Sequence, residues 1–224
     1  MEDVSRIAQI EKFPRKRAVL EKDKLTKRTN IIQAAAALLL KKDLAELSMD
    51  EVAKKAKVAK GTLYLYFPTK EDLCLRVHIY DYQLWFLDLR DYLESPNKNK
   101  ISFEDWFVGS FEKHPRFVKI LPIVPTILEK NASYDTVKEY KTELLNQLQE
   151  IIPALTLCLG FKKSEDTFMF MMQCYAITIG SWSHGFPSNT VKQVLNEKGM
   201  QIFLIDYVKF VKSSIEILIK GYKE

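Results

Sequence analysis

Catalytic or metal chemistry in this chain would have to start from its histidines, cysteines and serines, and their spacing supports neither. The three histidines, His78, His114 and His184, stand far apart, with no second ligand-type residue at metal spacing beside them. Cys74, Cys158 and Cys174 are odd in number and lie inside apolar helical stretches, so they read as reduced core residues. Ser183 precedes His184, but neighbours on a helix point to different faces and no nucleophile-elbow glycines surround them. There is no phosphate-binding glycine loop. These patterns argue against an enzyme, a metal site and a bound cofactor.

A different chemistry is concentrated in "AKGTLYLYFPTK", residues 59–70, where three large aromatics stand beside a glycine and two lysines. A tyrosine ring packs against protein while its hydroxyl reaches a phosphate or a base edge, and a lysine ammonium pairs with phosphate. Gly61 removes a side chain where a backbone or base edge must approach. Charge follows the same division. Residues 1–76 hold 17 Lys and Arg against 11 Asp and Glu, and the remainder holds 17 against 18. Charge alone fits either a module that meets a polyanion or a solvated basic face.

The setting of this stretch is helical. Few glycines and prolines, no long alternation of apolar and polar residues, and 47% hydrophobic content predict an all-α protein with a sizeable core. Residues 1–24 read as a basic arm, and the run Lys12, Arg15, Lys16, Arg17, Lys22, Lys24, Lys27 and Arg28 faces only Glu21 and Asp23. That run is either a source of phosphate contacts or a solvated tail. A first helix is expected over 26–42, with Ile31, Ala35, Leu38 and Leu39 on one face. Ser48 with Glu51 forms a capping-box pattern that starts a short helix over 49–56, and Thr69 with Asp72 starts a long one through about residue 94. Between them the 59–67 segment has room for about two helical turns before Pro68 ends it. Two short helices joined by a tight turn make a helix-turn-helix unit. Val52, Ala56, Val58, Leu63 and Phe67 would form its core, and Lys60, Thr62, Tyr64 and Tyr66 would be left at the surface.

The segment "SMDEVAKKAKVAKGTLYLYFPTKEDL" resembles the DNA-binding segment of the TetR family of transcriptional regulators. Ser48, Val52, Ala53, the "GTLY.YF" of the recognition helix and Lys70 to Leu73 carry the likeness; the rest of the chain resembles the family only in length and helical texture. The resemblance implies that Lys60, Gly61, Tyr64 and Leu65 face base edges in the major groove. It also implies that Ser48, Thr62, Tyr66 and Lys70 hold phosphates; Lys27 and Arg28, at the end of the basic run, are counted with them as DNA-binding residues if that run meets phosphate. Two positions depart from the pattern. Lys57 stands where the turn usually carries glycine and would take a positive φ, and Ala59 replaces a serine or threonine cap at a loss of roughly 1 kcal/mol.

Past residue 76 the chain reads as a second, helical module, with 25–75 as the DNA-binding domain and 76–224 as an effector-binding and dimerisation domain. Pro115, Pro122 and Pro125 are expected to break or kink helices. Trp85, Trp106, Phe107, Phe111, Met171, Met172, Tyr175 and Trp182 read either as core or as the lining of a cavity for a bulky apolar or aromatic effector, with Tyr175, Thr178 and His184 as polar handles. The final helix has two neighbouring apolar stripes, one through Phe203, Tyr207, Phe210 and Ile217, the other through Leu204, Val208, Val211, Ile215 and Leu218. So wide an apolar surface needs cover on two sides. The resemblance implies that the last two long helices form a dimeric four-helix bundle, and a two-fold dimer would read a near-palindromic operator. The expectation is a cytoplasmic, ligand-responsive repressor acting as a homodimer. The alternative from another class is a TetR-like dimer that senses a ligand or binds a protein partner without reading DNA.

Overall fold

The computed structural model describes residues 23–95 and 100–224, which are helices and turns with no strand among them. They fall into two compact units that divide between Val77 and His78. The expected basic arm, with Lys12, Arg15, Lys16, Arg17 and Lys22, lies outside the described residues except for its last two positions.

In the first unit, helix α1 covers residues 23–39, a few residues earlier than its periodicity suggests. The amides of Lys41 and Lys42 both donate to the Leu38 carbonyl, at 2.9 and 3.0 Å, and close a turn where continued helix was expected. A 3₁₀ turn, Leu44–Glu46, leads to α2, Met49–Ala56, and then to α3, Lys60–Tyr66. Ser48 caps α2 by accepting the Asp50 amide at 3.2 Å. The Glu51 carboxylate takes the Lys42 ammonium at 2.6 Å and the Ser48 amide, and its pKa is lowered chiefly by the lysine.

The turn between α2 and α3 closes on Lys57 in the left-handed region, φ 57 and ψ 41. Its amide donates to Lys54 at 3.2 Å, and the Val58 amide reaches back to Ala53 at 3.0 Å, the pattern a C-terminal glycine usually makes. Ala59 precedes α3 without a side-chain cap. Ile31, Ala35, Leu39, Val52, Leu63 and Phe67 are buried and join the three helices, while Ala56 and Val58 are only half-buried. The long helix α4, Lys70–Glu94, begins at a complete capping box: the Thr69 amide donates to Asp72 at 3.2 Å and the Asp72 amide to Thr69 Oγ1 at 3.0 Å.

In the second unit α4 continues and is followed by α5, Phe103–Lys113, capped by Ser102, and α6, Pro115–Ile120. Pro115 is the first residue of α6, where its missing N–H is harmless. Pro122 and Pro125 interrupt the ladder beyond it, giving a 3₁₀ turn, Leu121–Ile123, a π turn, Val124–Leu128, and one α turn, α7, Glu129–Asn131. Helices α8, Tyr134–Leu159, and α9, Ser164–Gly185, pack on each other. A short α10, Asn189–Leu195, leads to α11, Tyr207–Lys223, which packs on α9 and α5. The buried Asp81 carboxylate of α4 accepts Arg116 Nε of α6 at 2.8 Å, tying those two helices together. No single described helix is long and apolar enough to cross a membrane.

The final helix is corrected in two respects: Asp206 caps α11 by accepting the Lys209 amide at 3.1 Å, so Phe203, the end of a 3₁₀ turn, Met200–Phe203, and Leu204 lie before the helix instead of on it, and its stripes divide differently. Tyr207, expected at the dimer interface with Phe203, Phe210 and Ile217, is buried against its own chain with Val211 and Ile215. Its hydroxyl donates to the Thr178 carbonyl at 3.1 Å, and its ring meets those of Phe111, Trp182 and Phe186. The reason is Gly185, where even a Cβ would lie 2.4 Å from the Tyr207 Cβ. Phe203, Phe210 and Ile217 remain exposed, together with Leu204 and Val208.

Candidate functional site

Helix α3 is divided sharply between two faces. Leu63 is fully buried, whereas Tyr64 is 42% and Leu65 86% exposed. Lys60 and Gly61 are exposed beside them, with Thr62 and Tyr66 half-buried at the edges. A side chain at Gly61 would meet nothing within 4 Å, so the fold itself does not demand glycine there. The Lys60 ammonium pairs with Asp50 at 2.7 Å, and that hydrogen bond is the main reason its pKa is raised. Exposed pairs of this kind are readily exchanged for another anion.

The remaining basic and polar positions around α3 are partly engaged. Lys70 Nζ donates to the Leu44 carbonyl at 3.3 Å, which leaves an ammonium further protons for an anion. The Arg28 guanidinium lies 5.8 Å from the centre of the Phe67 ring, and Lys27 is exposed on the same helix α1. Ser48 keeps its hydroxyl on the α2 amide described above. These groups can do electrostatic and hydrogen-bond recognition; nothing among them is a nucleophile or a metal set, and no group of metal-ligating residues occurs among the described residues.

The second unit forms a cavity of about 300 Å³, open to solvent where the lining residues Leu145, Phe168 and Met172 are exposed. Every helix from α4 to α9 contributes to its wall. Of the residues singled out from sequence, Trp85, Phe107, Phe111, Met171, Met172, Tyr175 and Thr178 line it. Trp106, Trp182 and His184 do not: Trp106 stacks on Tyr92, Trp182 on Phe186, and His184 is exposed near the end of α9. Lining residues not anticipated include Tyr82, Phe117, Glu129, Tyr140, Lys141 and Phe168. The spacing of Tyr140, Leu144 and Leu148 on α8 and of Phe168, Met171, Met172 and Tyr175 on α9 is a visible helical stripe, but periodicity alone does not separate cavity from core.

Behind this wall lies His78, fully buried, stacked 5.2 Å from Phe117 and 5.9 Å from Tyr140. Neither ring nitrogen has a hydrogen-bond partner. Burial, with the nearby Arg116 charge second, pulls its pKa down to about 3, so the ring is neutral. The cysteines are all free, and burial pushes the Cys74 thiol up to about 12, which removes it as a nucleophile at neutral pH.

Comparison with known proteins agrees with this division. The family model described as bacterial regulatory proteins, tetR family, matches residues 31–77, and that of the tetracyclin repressor-like C-terminal domain matches residues 80–224. An uncharacterized HTH-type transcriptional regulator of Bacillus subtilis strain 168, YuxN, is 41% identical over 66 residues, which are 30% of this chain and 21% of that protein. The chain thus spans about a fifth of the length of that curated relative. Among solved structures, the TetR family repressor AlkX from Dietzia sp. strain DQ12-45-1b superposes with a TM-score of 0.53 at 15% identity, over 88% of this chain and 95% of its own. The fatty acid degradation regulator FadR from Bacillus halodurans gives 0.52 at 17%, over 88% and 97%. A TetR transcriptional regulator from Rhodococcus sp. RHA1 gives 0.53 at 18%, over 90% and 97%. At such identities the likeness is one of fold. The family matches, which between them take in both units, do more: with its helix-turn-helix presented on α2 and α3, this chain belongs to the TetR family of DNA-binding transcriptional regulators.

Proposed function

We propose that the chain is a homodimeric, effector-released repressor that reads a near-palindromic operator with α3. The observation that carries this reading is the two-faced α3: Leu63 is buried beneath it, while Lys60, Tyr64 and Leu65 project outward together. In the bound state Lys60 exchanges Asp50 for a base edge, Gly61 lets the duplex approach, and Tyr64 and Leu65 supply hydrogen-bond and methyl-group contacts. Thr62, Tyr66, Lys70 and the α2 terminus at Ser48 hold phosphates, with Lys27 and Arg28 adding charge.

One helix of this length reads only a few base pairs, so two copies are needed for a specific site. Exposed apolar side chains on α9 (Phe168, Met169 and Met172) and on or just before α11 (Phe203, Val208, Phe210 and Ile217) support a second copy as their cover. The cavity, at the lower end of the size range of small-molecule sites, supports a small apolar or aromatic effector. Such an effector switches the protein only to the extent that it binds one arrangement of α4 better than another. Repression is the sign proposed. The place of action is the cytoplasm, where the DNA is.

The alternative, a ligand or partner sensor that ignores DNA, drew on Lys57 and Ala59. Lys57 closes a hydrogen-bonded turn, and Ala59, though uncapped by a side chain, still accepts the Leu63 amide, so neither departure breaks the helix-turn-helix. The experiment is fluorescence anisotropy on a labelled fragment of the upstream region of its own gene, with scrambled competitor at two salt concentrations. Binding that survives competitor and moderate salt is expected. Binding abolished by scrambled DNA and steeply lost with salt would sink the proposal, since only the basic surface would then be engaged.

A further inference from the structure

The charged residues on the cavity wall are Glu129 and Lys141, and they pair with each other at 2.6 Å. They are not equivalent. The Glu129 side chain is 20% exposed, whereas that of Lys141 is 55% exposed. An anionic ligand would have to take Lys141 from its partner and leave a largely buried carboxylate unpaired, which is strongly unfavourable. A cationic ligand would take Glu129 and leave an exposed ammonium, which water solvates at little loss.

The rest of the wall favours the same sign. The Lys141 ammonium already lies 5.6 Å from the centre of the Tyr140 ring, so a cation is accommodated over an aromatic face at this point. The phenols of Tyr140 and Tyr175 both have raised pKa values, through burial first and the Glu129 charge second. Negative charge is therefore felt across that part of the wall. Beyond it Trp85, Phe86, Phe107 and Phe111 offer an apolar, aromatic body site.

We infer that the effector is a lipophilic organic cation, an amine or quaternary ammonium on an apolar body, whose charge replaces Lys141 at Glu129. This rests on the cavity being the effector site. The test uses three probes with one apolar chain and different heads: decyltrimethylammonium, decanoate and decanol. Each is titrated into the full chain and followed by tryptophan fluorescence, since Trp85 lies in the wall. The cation is expected to bind at least about ten-fold more tightly than the anion. Glu129→Gln is expected to remove that preference, and Lys141→Gln to strengthen the cation, because the internal competitor for Glu129 is gone. Decanoate binding as tightly as the cation, a preference that survives Glu129→Gln, or a Lys141→Gln variant that weakens the cation would each overturn the inference. If decanol binds and the cation is not preferred, only this inference falls; if none of the three binds, the cavity reading falls with it.

Discussion

The two units use the same residue types in opposite senses. In the first, Tyr64 and Leu65 stand in solvent on a helix only seven residues long, held from beneath by Leu63 and Phe67. In the second, Tyr82, Phe86, Phe107 and Tyr140 turn inward around a space. A displayed surface needs only that the helix beneath it be rigid, so its residues are free of packing duties. An enclosed surface makes every recognition residue a packing residue as well. Substitutions should therefore separate function from stability in the first unit and confound them in the second.

Adjacent residues on α3 give the largest test of that contrast. Leu63→Ala removes a fully buried side chain and should lower stability by about 3 kcal/mol. Tyr64→Ala should leave the unfolding midpoint almost unchanged yet weaken operator binding by about 1–3 kcal/mol, roughly five- to 150-fold. Urea unfolding and anisotropy on the same two variants decide it. If Tyr64→Ala bound operator like the parent, the displayed face would not be the reading face.

The enclosed unit should respond in the other way at Gly185. A Cβ there would lie 2.4 Å from the Cβ of Tyr207, which no rotamer can move, and 2.9 Å from its Cγ. Gly185→Ala must push α9 and α11 apart or displace the tyrosine from Thr178, at a loss of about 2 kcal/mol. An unchanged urea midpoint would mean that these helices separate freely, and the enclosure would be looser than the contacts imply.

That glycine also marks where the sequence could not be read. The helix-turn-helix was legible because its signals are contiguous: Ser48, the Thr69 and Asp72 box, Gly61 and Pro68 all lie within a short span, and each acts on its own neighbours. Even the positive φ of Lys57 was foreseeable from its place in the turn. The two stripes of α11 were not separable, because the choice depends on which residue of a distant helix lacks a side chain. The cavity was half-legible for the same reason. Met171, Met172 and Tyr175 sit on a visible stripe, but Glu129 sits in a segment broken by Pro122 and Pro125, and its meeting with Lys141 is a product of that break and the start of α8.

His78 offers a smaller test of what enclosure does to a polar group. Its neutral ring, with two unpartnered nitrogens, should be less favourable than an apolar residue of similar volume, so His78→Leu is expected to gain about 1 kcal/mol at pH 7. The pH dependence is the sharper readout. The pKa is about 3 in the folded chain against 6.5 for the free side chain, so below pH 6.5 the unfolded chain binds a proton that the folded one cannot. The parent therefore loses stability as pH falls from 6.5 towards 3, by up to about 1.4 kcal/mol per pH unit from this group. The advantage of His78→Leu should widen on acidification, measured as urea midpoints at pH 7 and pH 5. A constant gap would place His78 in contact with water or a partner.

The smallest effect returns to the displayed unit and asks whether its one strained residue belongs to function or to the turn. Lys57 is the described non-glycine residue with positive φ, and it is exposed, with its amide already bonded within the turn. Lys57→Gly should relieve that conformation and stabilise the chain by roughly 1 kcal/mol. If the lysine serves only the turn, operator affinity should stay the same or rise, because α2 and α3 keep their relation and less strain is stored between them. If instead its ammonium meets a phosphate, affinity should fall and the salt slope should shrink by about one unit. The glycine variant separates these outcomes, since stability and affinity then move in opposite directions, and strain at this position would be the trace of a contact to DNA.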